Sequence, residues 1–133
     1  MSQENVEIVL KQVEALNRKD VDAFLALVSP DVEWEDSVFW SEVSRTYRGK
    51  DELREWFHRV LEPWESFHAE ADEIREAEDR VLAGGVITAR GKGSGVETQL
   101  RGWLVFWVTN GMITKRQVFL DHAEALEAAG LSE

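Results

Sequence analysis

A change of hydrophobic spacing at Pro63 constrains the fold of this chain more than any other feature. Before Pro63, apolar residues recur at helical spacing; after it, they alternate in four segments that begin at residues 66, 80, 96 and 112. Alternation is typical of strands, and Asn110-Gly111 between the last two segments is a strong hairpin signal. Helices followed by antiparallel strands predict one α+β domain over residues 1–133, with the helices packed on one face of the sheet.

The N-terminal half predicts three helices. The first begins at Ser2 and ends near residues 17–19, the second is capped by Asp20 and stopped by Pro30, and the third covers residues 49–62. Between the second and third helices, DVEWED at 31–36 predicts a strand and residues 37–49 a loop. A short helix that starts near residue 123 closes the chain, with Gly130 at its C-cap.

The predicted strand over residues 96–109 is hydrophobic on both faces. Because the helices cover only one face of the sheet, we expect the other to be covered by the same sheet of a second subunit, which gives a homodimer. The alternating sets are Leu104, Phe106 and Val108 on one face and Trp103, Val105 and Trp107 on the other.

Charge and composition exclude several classes of function. The net charge is -11, with 15 Lys and Arg against 26 Asp and Glu, which argues against binding to nucleic acid or to an anionic membrane. The chain has no cysteine, no signal-peptide pattern and no apolar run long enough to span a bilayer, so we expect a cytoplasmic protein. The three histidines show no metal-binding spacing, and GKGSG lies between strands, so we expect neither a metal nor a cofactor.

Asp36 is the main candidate for chemistry. In a strand over DVEWED, alternation places it on the apolar face of Val32 and Trp34. Burial of a carboxylate raises its pKa, which suits proton transfer near neutral pH. The alternative is that Asp36 is an ordinary turn or capping residue at the end of the strand.

Arg101 and Asp121 are weaker candidates. Arg101 points to the same side as Trp103 and either pairs with an inward carboxylate or lies in water at a sheet end. Asp121 shares a strand face with Gln117 and Phe119, but it equally fits the N-cap of the closing helix. Gln117 and Gln12 are further candidates to orient a substrate.

Three segments together resemble one family. These are VLKQVEALNRKDVDAFLALVSPDVEWED, YRGKDELREWF and NGMITKRQVFLDHAEALEAAGL, and with the order of elements they resemble SnoaL-like proteins of the nuclear-transport-factor-2-like superfamily. The resemblance implies a cone formed by three helices on a strongly curved, mainly antiparallel sheet, with a deep pocket for a small apolar ligand. Six aromatic residues are candidates to line that pocket: Trp34, Trp40, Trp56, Phe57, Trp103 and Phe119.

The ketosteroid isomerase pattern within this superfamily implies a role for Asp36. Its general-base aspartate falls at Asp36, whereas Gln12, Phe57 and Trp103 stand where that pattern has two tyrosines and a protonated aspartate. Each oxyanion donor is typically worth about 2.7 to 4 kcal/mol of barrier, so efficient steroid isomerisation is not expected.

Two other branches of the superfamily leave further roles open. The polyketide cyclase branch uses a pocket acid, for which Asp36 or Asp121 is available, and the epoxide hydrolase branch uses an Asp, Arg, Asp relay, whose residue types are present as Asp36, Arg101 and Asp121. We therefore expect cofactor-free acid-base chemistry on a small or polycyclic apolar carbonyl compound. The alternatives are a non-catalytic domain that binds a small molecule and a dimerisation domain.

Overall fold

The computed structural model describes residues 2–36 and 45–131, which form an α+β fold. The helices are α1 (Ser2–Asn17), α2 (Val21–Ala26), α3 (Gly49–Leu61) and α4 (His122–Ala128). The strands are β1 (Val28–Asp36), β2 (Arg45–Arg48), β3 (Trp64–Ala77), β4 (Arg80–Gly91), β5 (Glu97–Thr109) and β6 (Met112–Phe119). The predicted α+β class, with helices packed on a mainly antiparallel, curved sheet, is confirmed.

The sheet has the order β2-β1-β6-β5-β4-β3, and only the β1–β6 pairing within this order is parallel. The four predicted strands after Pro63 correspond to β3 to β6. Asn110 and Gly111 both have positive φ, 53° and 78°, as the predicted two-residue hairpin between β5 and β6 requires. A register shift between Ala71 and Glu73 interrupts the β3–β4 ladder, and such bulges bend a sheet.

Two predicted boundaries were wrong. β1 begins at Val28, so Pro30 lies inside a strand and does not stop a helix, since α2 has already ended at Ala26. The β1–β6 register shifts between Val28 and Glu33, which accommodates a residue without a backbone N–H. Arg45–Arg48, which falls in the predicted loop, forms β2 and pairs with β1. The rest of that loop, residues 37–44, lies outside the described residues.

The two faces of the sheet have different covers. The inner face, which carries Ala83, Leu104 and Phe106, packs against α1, α2 and α3 in the main hydrophobic core. The outer face carries Leu82 and Val105, which are fully buried under α4. A helix of the same chain therefore covers part of the face that the sequence assigned to a second subunit. None of the helices within residues 2–36 and 45–131 has the length and apolar character needed to cross a bilayer.

Asn17, the last residue of α1, holds this helix against the sheet. Its side-chain Nδ2 donates to the carbonyl oxygen of Ala69 at 2.9 Å, and its Oδ1 accepts from the Ala69 N–H at 2.8 Å. The amide thus bonds both backbone groups of one residue in β3. This contact fixes the end of α1 over the inner face of the sheet. A cavity lies between the helix and the sheet.

Candidate functional site

A cavity of about 90 Å³ lies between α1, α3 and the inner face of the sheet. Its wall is largely apolar, because inner-face positions of β3 to β6 alternate with outward positions and the helices add their own apolar faces. Representative lining residues are Leu16, Trp56, Val60, Ile87, Leu104 and Val118. Two charged residues are among those that line the cavity, Glu70 of β3 and Arg116 of β6.

Arg116 is held inside the fold by its neighbours in the sheet. It pairs with Trp34 in the parallel β1–β6 ladder and is only 4% exposed. Its guanidinium carbon lies 4.2 Å from the ring centroid of Trp34 and 5.2 Å from that of Trp56. Its Nη2 donates to the carbonyl oxygen of Glu35 at 2.6 Å. Two indole faces and a backbone carbonyl thus stabilise a buried cation.

Asp36 completes this cluster from the end of β1. The structure places its side chain inside, 9% exposed, on the face of Val32 and Trp34. Trp56 Nε1 donates to Asp36 Oδ2 at 3.3 Å, and Arg116 Nη2 lies 3.8 Å from Oδ1. We call Trp34, Asp36, Trp56 and Arg116 the Asp-Arg cluster.

Burial disfavours the charged form of Arg116, and nearby carboxylates favour it. Burial lowers the pKa of Arg116 to about 10, while Asp36 and Glu35 act in the opposite direction. The guanidinium therefore remains protonated at neutral pH. The Asp-Arg cluster has no net charge when the Asp36 carboxylate is ionised.

Two other predicted residues are buried in the core without lining the cavity. Phe57 is 1% exposed and stacks edge-on against Phe24. Gln12 is 1% exposed, and its Nε2 has no hydrogen-bond partner among the described residues. A buried amide donor of this kind is unusual, since most buried polar groups are hydrogen-bonded.

Four predicted residues have their side chains on the outer face. Trp103 borders the cavity next to Gly102, but its indole packs over Gly84 on the side of α4. Phe119 packs in the same outer cluster, and Gln117 donates to Glu35 Oε2 at 3.0 Å. Arg101 pairs with Asp72 at the exposed surface.

Of the remaining two predicted residues, one caps a helix and the other lies outside the described residues. Asp121 Oδ2 accepts from the Glu124 N–H at 3.1 Å as the N-cap of α4, which is the alternative that the sequence left open. Trp40 lies outside the described residues. No group of three or more His, Asp or Glu side chains within residues 2–36 and 45–131 is arranged to hold a metal ion.

Arg116 is the site residue that sequence reasoning missed. The available signal was that Arg116 shares one face of a predicted strand with the apolar residue Val118. The sequence does not show that this face is the inner one, because the residues that surround Arg116 come from β1 and α3, far away in the chain.

Comparisons with known proteins agree with this architecture. A family model described as a SnoaL-like domain matches residues 9–116, which bears out the resemblance drawn from the sequence. A search of curated proteins gives no match.

Solved structures with the same fold include proteins of different descriptions. A nuclear-transport-factor-2-like protein of unknown function from Burkholderia pseudomallei has a TM-score of 0.78 at 24% identity, over 95% of this chain and 97% of that one. SalBIII, described as an epoxide hydrolase/cyclase-like enzyme in pyran ring formation, has a TM-score of 0.77 at 21% identity, over 91% and 93%. A LEH-like epoxide hydrolase from M. tuberculosis has a TM-score of 0.75 at 20% identity, over 96% and 90%. At these identities the likeness establishes the fold.

Proposed function

The chain belongs to the SnoaL-like domain family, and from this premise we propose that it is a cofactor-free enzyme that acts on a small, largely apolar compound with one polarisable oxygen. Asp36 is the proposed acid or base. The observation that carries the proposal is a buried carboxylate beside a buried guanidinium, where the guanidinium lines an otherwise apolar cavity. Neighbouring structures described as epoxide hydrolase or cyclase-like proteins support including epoxides with carbonyl compounds as candidate substrates.

The cavity volume favours a small substrate over a polycyclic one. Ligand pockets for drug-sized molecules measure about 300 to 1,000 Å³, and an apolar cavity of about 150 Å³ admits benzene. The cavity here is about 90 Å³. A compound with a few heavy atoms fits this space, whereas a fused ring system requires α1 or α3 to move outward.

Exchange of hydrogen for deuterium tests the proposal without knowledge of the natural substrate. Small cyclic ketones, enones and epoxides are incubated with the protein in D₂O, and proton NMR follows exchange next to the carbonyl group and any ring opening. Replacement of Asp36 by Asn should slow the reaction at least about a hundredfold, the usual lower range for a general acid or base. Glu33→Gln is the matched control, because Glu33 lies on the exposed side of the same strand. Unchanged exchange in Asp36→Asn would reject the assignment.

A second candidate function is binding without catalysis. It is favoured by the apolar wall and by the contacts of Asp36 with Trp56 and Arg116, which suit a structural ion pair. Saturation-transfer NMR on the same compounds distinguishes the two functions. Binding that is lost when Val60 is enlarged to Phe, with no exchange or conversion by the wild-type protein, would favour the binding function.

We also propose that the chain forms a homodimer through the outer face of the sheet. α4 covers the centre of this face at Leu82 and Val105, while Trp103 and Trp107 remain partly exposed at its edge. Light scattering after size exclusion at micromolar concentration tests this proposal, and a monomer would reject it. A cytoplasmic location stays a prediction, supported by the absence of cysteine from the sequence.

A further inference from the structure

The two helices that cover the cavity are attached to the sheet in different ways. α3 is held by polar and aromatic contacts to two strands. Trp56 Nε1 donates to Asp36 Oδ2 at 3.3 Å, and the Trp56 ring lies 5.2 Å from that of Trp34. One turn further along α3, Arg59 Nη1 donates to the Tyr47 hydroxyl oxygen at 3.5 Å. An outward movement of α3 breaks all of these contacts at once.

α1 is attached to β3 by a single side chain, Asn17. Its amide donates to the carbonyl oxygen of Ala69 and accepts from the Ala69 N–H, and these are the hydrogen bonds that join α1 to β3 among the described residues. Towards the cavity α1 presents the apolar side chains of Val13 and Leu16. Because apolar contacts are not directional, α1 shifts at low cost once the two Asn17 bonds are broken.

Asn17 acts at the free edge of the sheet. β3 is the last strand in the order β2-β1-β6-β5-β4-β3, so the backbone groups on one of its sides have no strand partner in the described sheet. Ala69 directs both of its backbone groups to that side, where the Asn17 amide bonds them as a neighbouring strand would. Ala69 also lines the cavity. Breaking this pair therefore separates the helix from the strand at the cavity wall.

We propose that Asn17 is the latch of a movable wall: α1 opens away from β3 to admit ligands larger than the resting cavity, and the Asn17–Ala69 pair holds it closed. The resting volume is about 90 Å³, below the roughly 150 Å³ of an apolar cavity that admits benzene. The ligands that need the opening are apolar molecules of single-ring size. The inference concerns the cavity and goes beyond the proposed function, since it holds whether or not Asp36 is catalytic.

Two hydrogen bonds report the movements of the two helices separately. The Ala69 amide proton is bonded to Asn17 Oδ1, so its exchange with solvent deuterium measures the opening of α1. The indole N–H proton of Trp56 is bonded to Asp36 Oδ2, so its exchange measures the opening of α3. The probes are xenon, a single atom that fits the resting cavity, and benzene, which exceeds it. ¹H–¹⁵N spectra follow both protons and the binding of both probes.

We expect benzene to lower the protection of the Ala69 amide proton at least about tenfold, because bound benzene keeps α1 open. The protection of the Trp56 indole proton should not fall, and xenon should lower neither. Loss of protection at Trp56 in place of Ala69 would show that α3 is the moving wall and would contradict the proposal. Unchanged protection at Ala69, or no binding of benzene to the wild-type protein, would overturn it as well.

Asn17→Ala removes the latch and leaves the apolar wall in place. The loss of two hydrogen bonds should make the open form at least about tenfold more populated, so benzene should bind at least about tenfold more tightly, with little change for xenon. Arg18→Ala is the matched control, because Arg18 is the next residue and its side chain pairs with Glu14 and Asp20 at the exposed surface. Equal benzene affinity of Asn17→Ala and Arg18→Ala would reject the latch.

The test stays decisive if one part of it fails. If Asn17→Ala does not fold, the exchange of the Ala69 and Trp56 protons in the wild-type protein decides the question alone. If benzene binding behaves as expected while no ketone or epoxide is converted, the movable wall stands and the catalytic function fails. The two proposals can thus fail separately.

Discussion

Replacing Asp36 by Asn removes the counter-charge of a buried guanidinium, and the structure sets the size of the effect. The Asp36 Oδ1 to Arg116 Nη2 distance is 3.8 Å. At an effective dielectric constant near 20, two unit charges at this separation attract by about 4 kcal/mol. The amide retains an oxygen that accepts from Trp56 Nε1, so the loss is mainly electrostatic. We expect the variant to lose about 3 to 5 kcal/mol of unfolding free energy at pH 7.

A second substitution, Arg116→Met, should restore the unfolding free energy that Asp36→Asn loses. Burial lowers the pKa of Arg116 well below its ordinary value, to about 10, although Asp36 and Glu35 oppose the change. A difference of this size means that keeping the guanidinium charged costs the folded protein about 3 kcal/mol at neutral pH. Arg116→Met removes that cost and fills a similar volume. The double variant Asp36→Asn/Arg116→Met is therefore expected to be about as stable as wild type, or more stable.

Urea unfolding at pH 7, followed by tryptophan fluorescence and far-UV circular dichroism, measures these differences. With a denaturant slope of about 2 kcal/mol/M, the midpoint of Asp36→Asn should fall by about 2 M, and that of the double variant should return. Glu33→Gln, which removes an exposed charge from the same strand, should change stability by less than about 0.5 kcal/mol. If the double variant is no more stable than Asp36→Asn, the description of these residues as a coupled ion pair is wrong.

Two further predictions concern the bend of the sheet and the titration of Arg116. A Cβ at Gly85 would lie 2.1 Å from the backbone oxygen of Glu70, so Gly85→Ala should cost about 3 kcal/mol or more, read from the thermal midpoint; an unchanged midpoint would contradict the close approach. Burial lowers the folded pKa of Arg116 to about 10, below its value in the unfolded chain. Above about pH 10 the unfolded chain therefore binds more protons than the folded protein, and this group's contribution to stability rises with pH. The stability of wild type relative to the Asp36→Asn/Arg116→Met variant should therefore increase by about 2 kcal/mol from pH 9 to pH 11.5, and a constant difference would refute the assignment.

The strands after Pro63 were predictable because their signal is local. Side-chain alternation and a two-residue turn mark β3 to β6 whatever their partners are. β2 has no such signal, since it is four residues long and only Tyr47 in it is buried. Tyr47 is buried because it pairs with Trp34, and that pairing depends on the fold of the whole sheet. The position of Pro30 within β1 likewise depends on a register shift against β6.

The position of a site residue was predictable from the sequence only where one face of its strand is apolar and the other is polar. Alternation within DVEWED placed Asp36 beside Trp34, and the structure has it there. In β5 both alternating sets are apolar, so the pattern separates two faces but does not indicate which one meets the helices. Trp103, a pocket candidate from the family resemblance, borders the cavity, while its indole packs in the outer cluster with α4.

Stability and chemistry together give a reason for the Asp-Arg cluster. An ion pair that is expected to add no net stability is a poor explanation for a folded core, and apolar residues fill the same volume at lower cost. Its position at the wall of an apolar cavity offers another explanation, because Asp36 is the proposed acid or base and Arg116 lines that cavity. The urea experiment tests the first statement, and the deuterium-exchange experiment tests the second. A double variant that is stable but no longer catalyses exchange would show that the pair serves the cavity and not the fold.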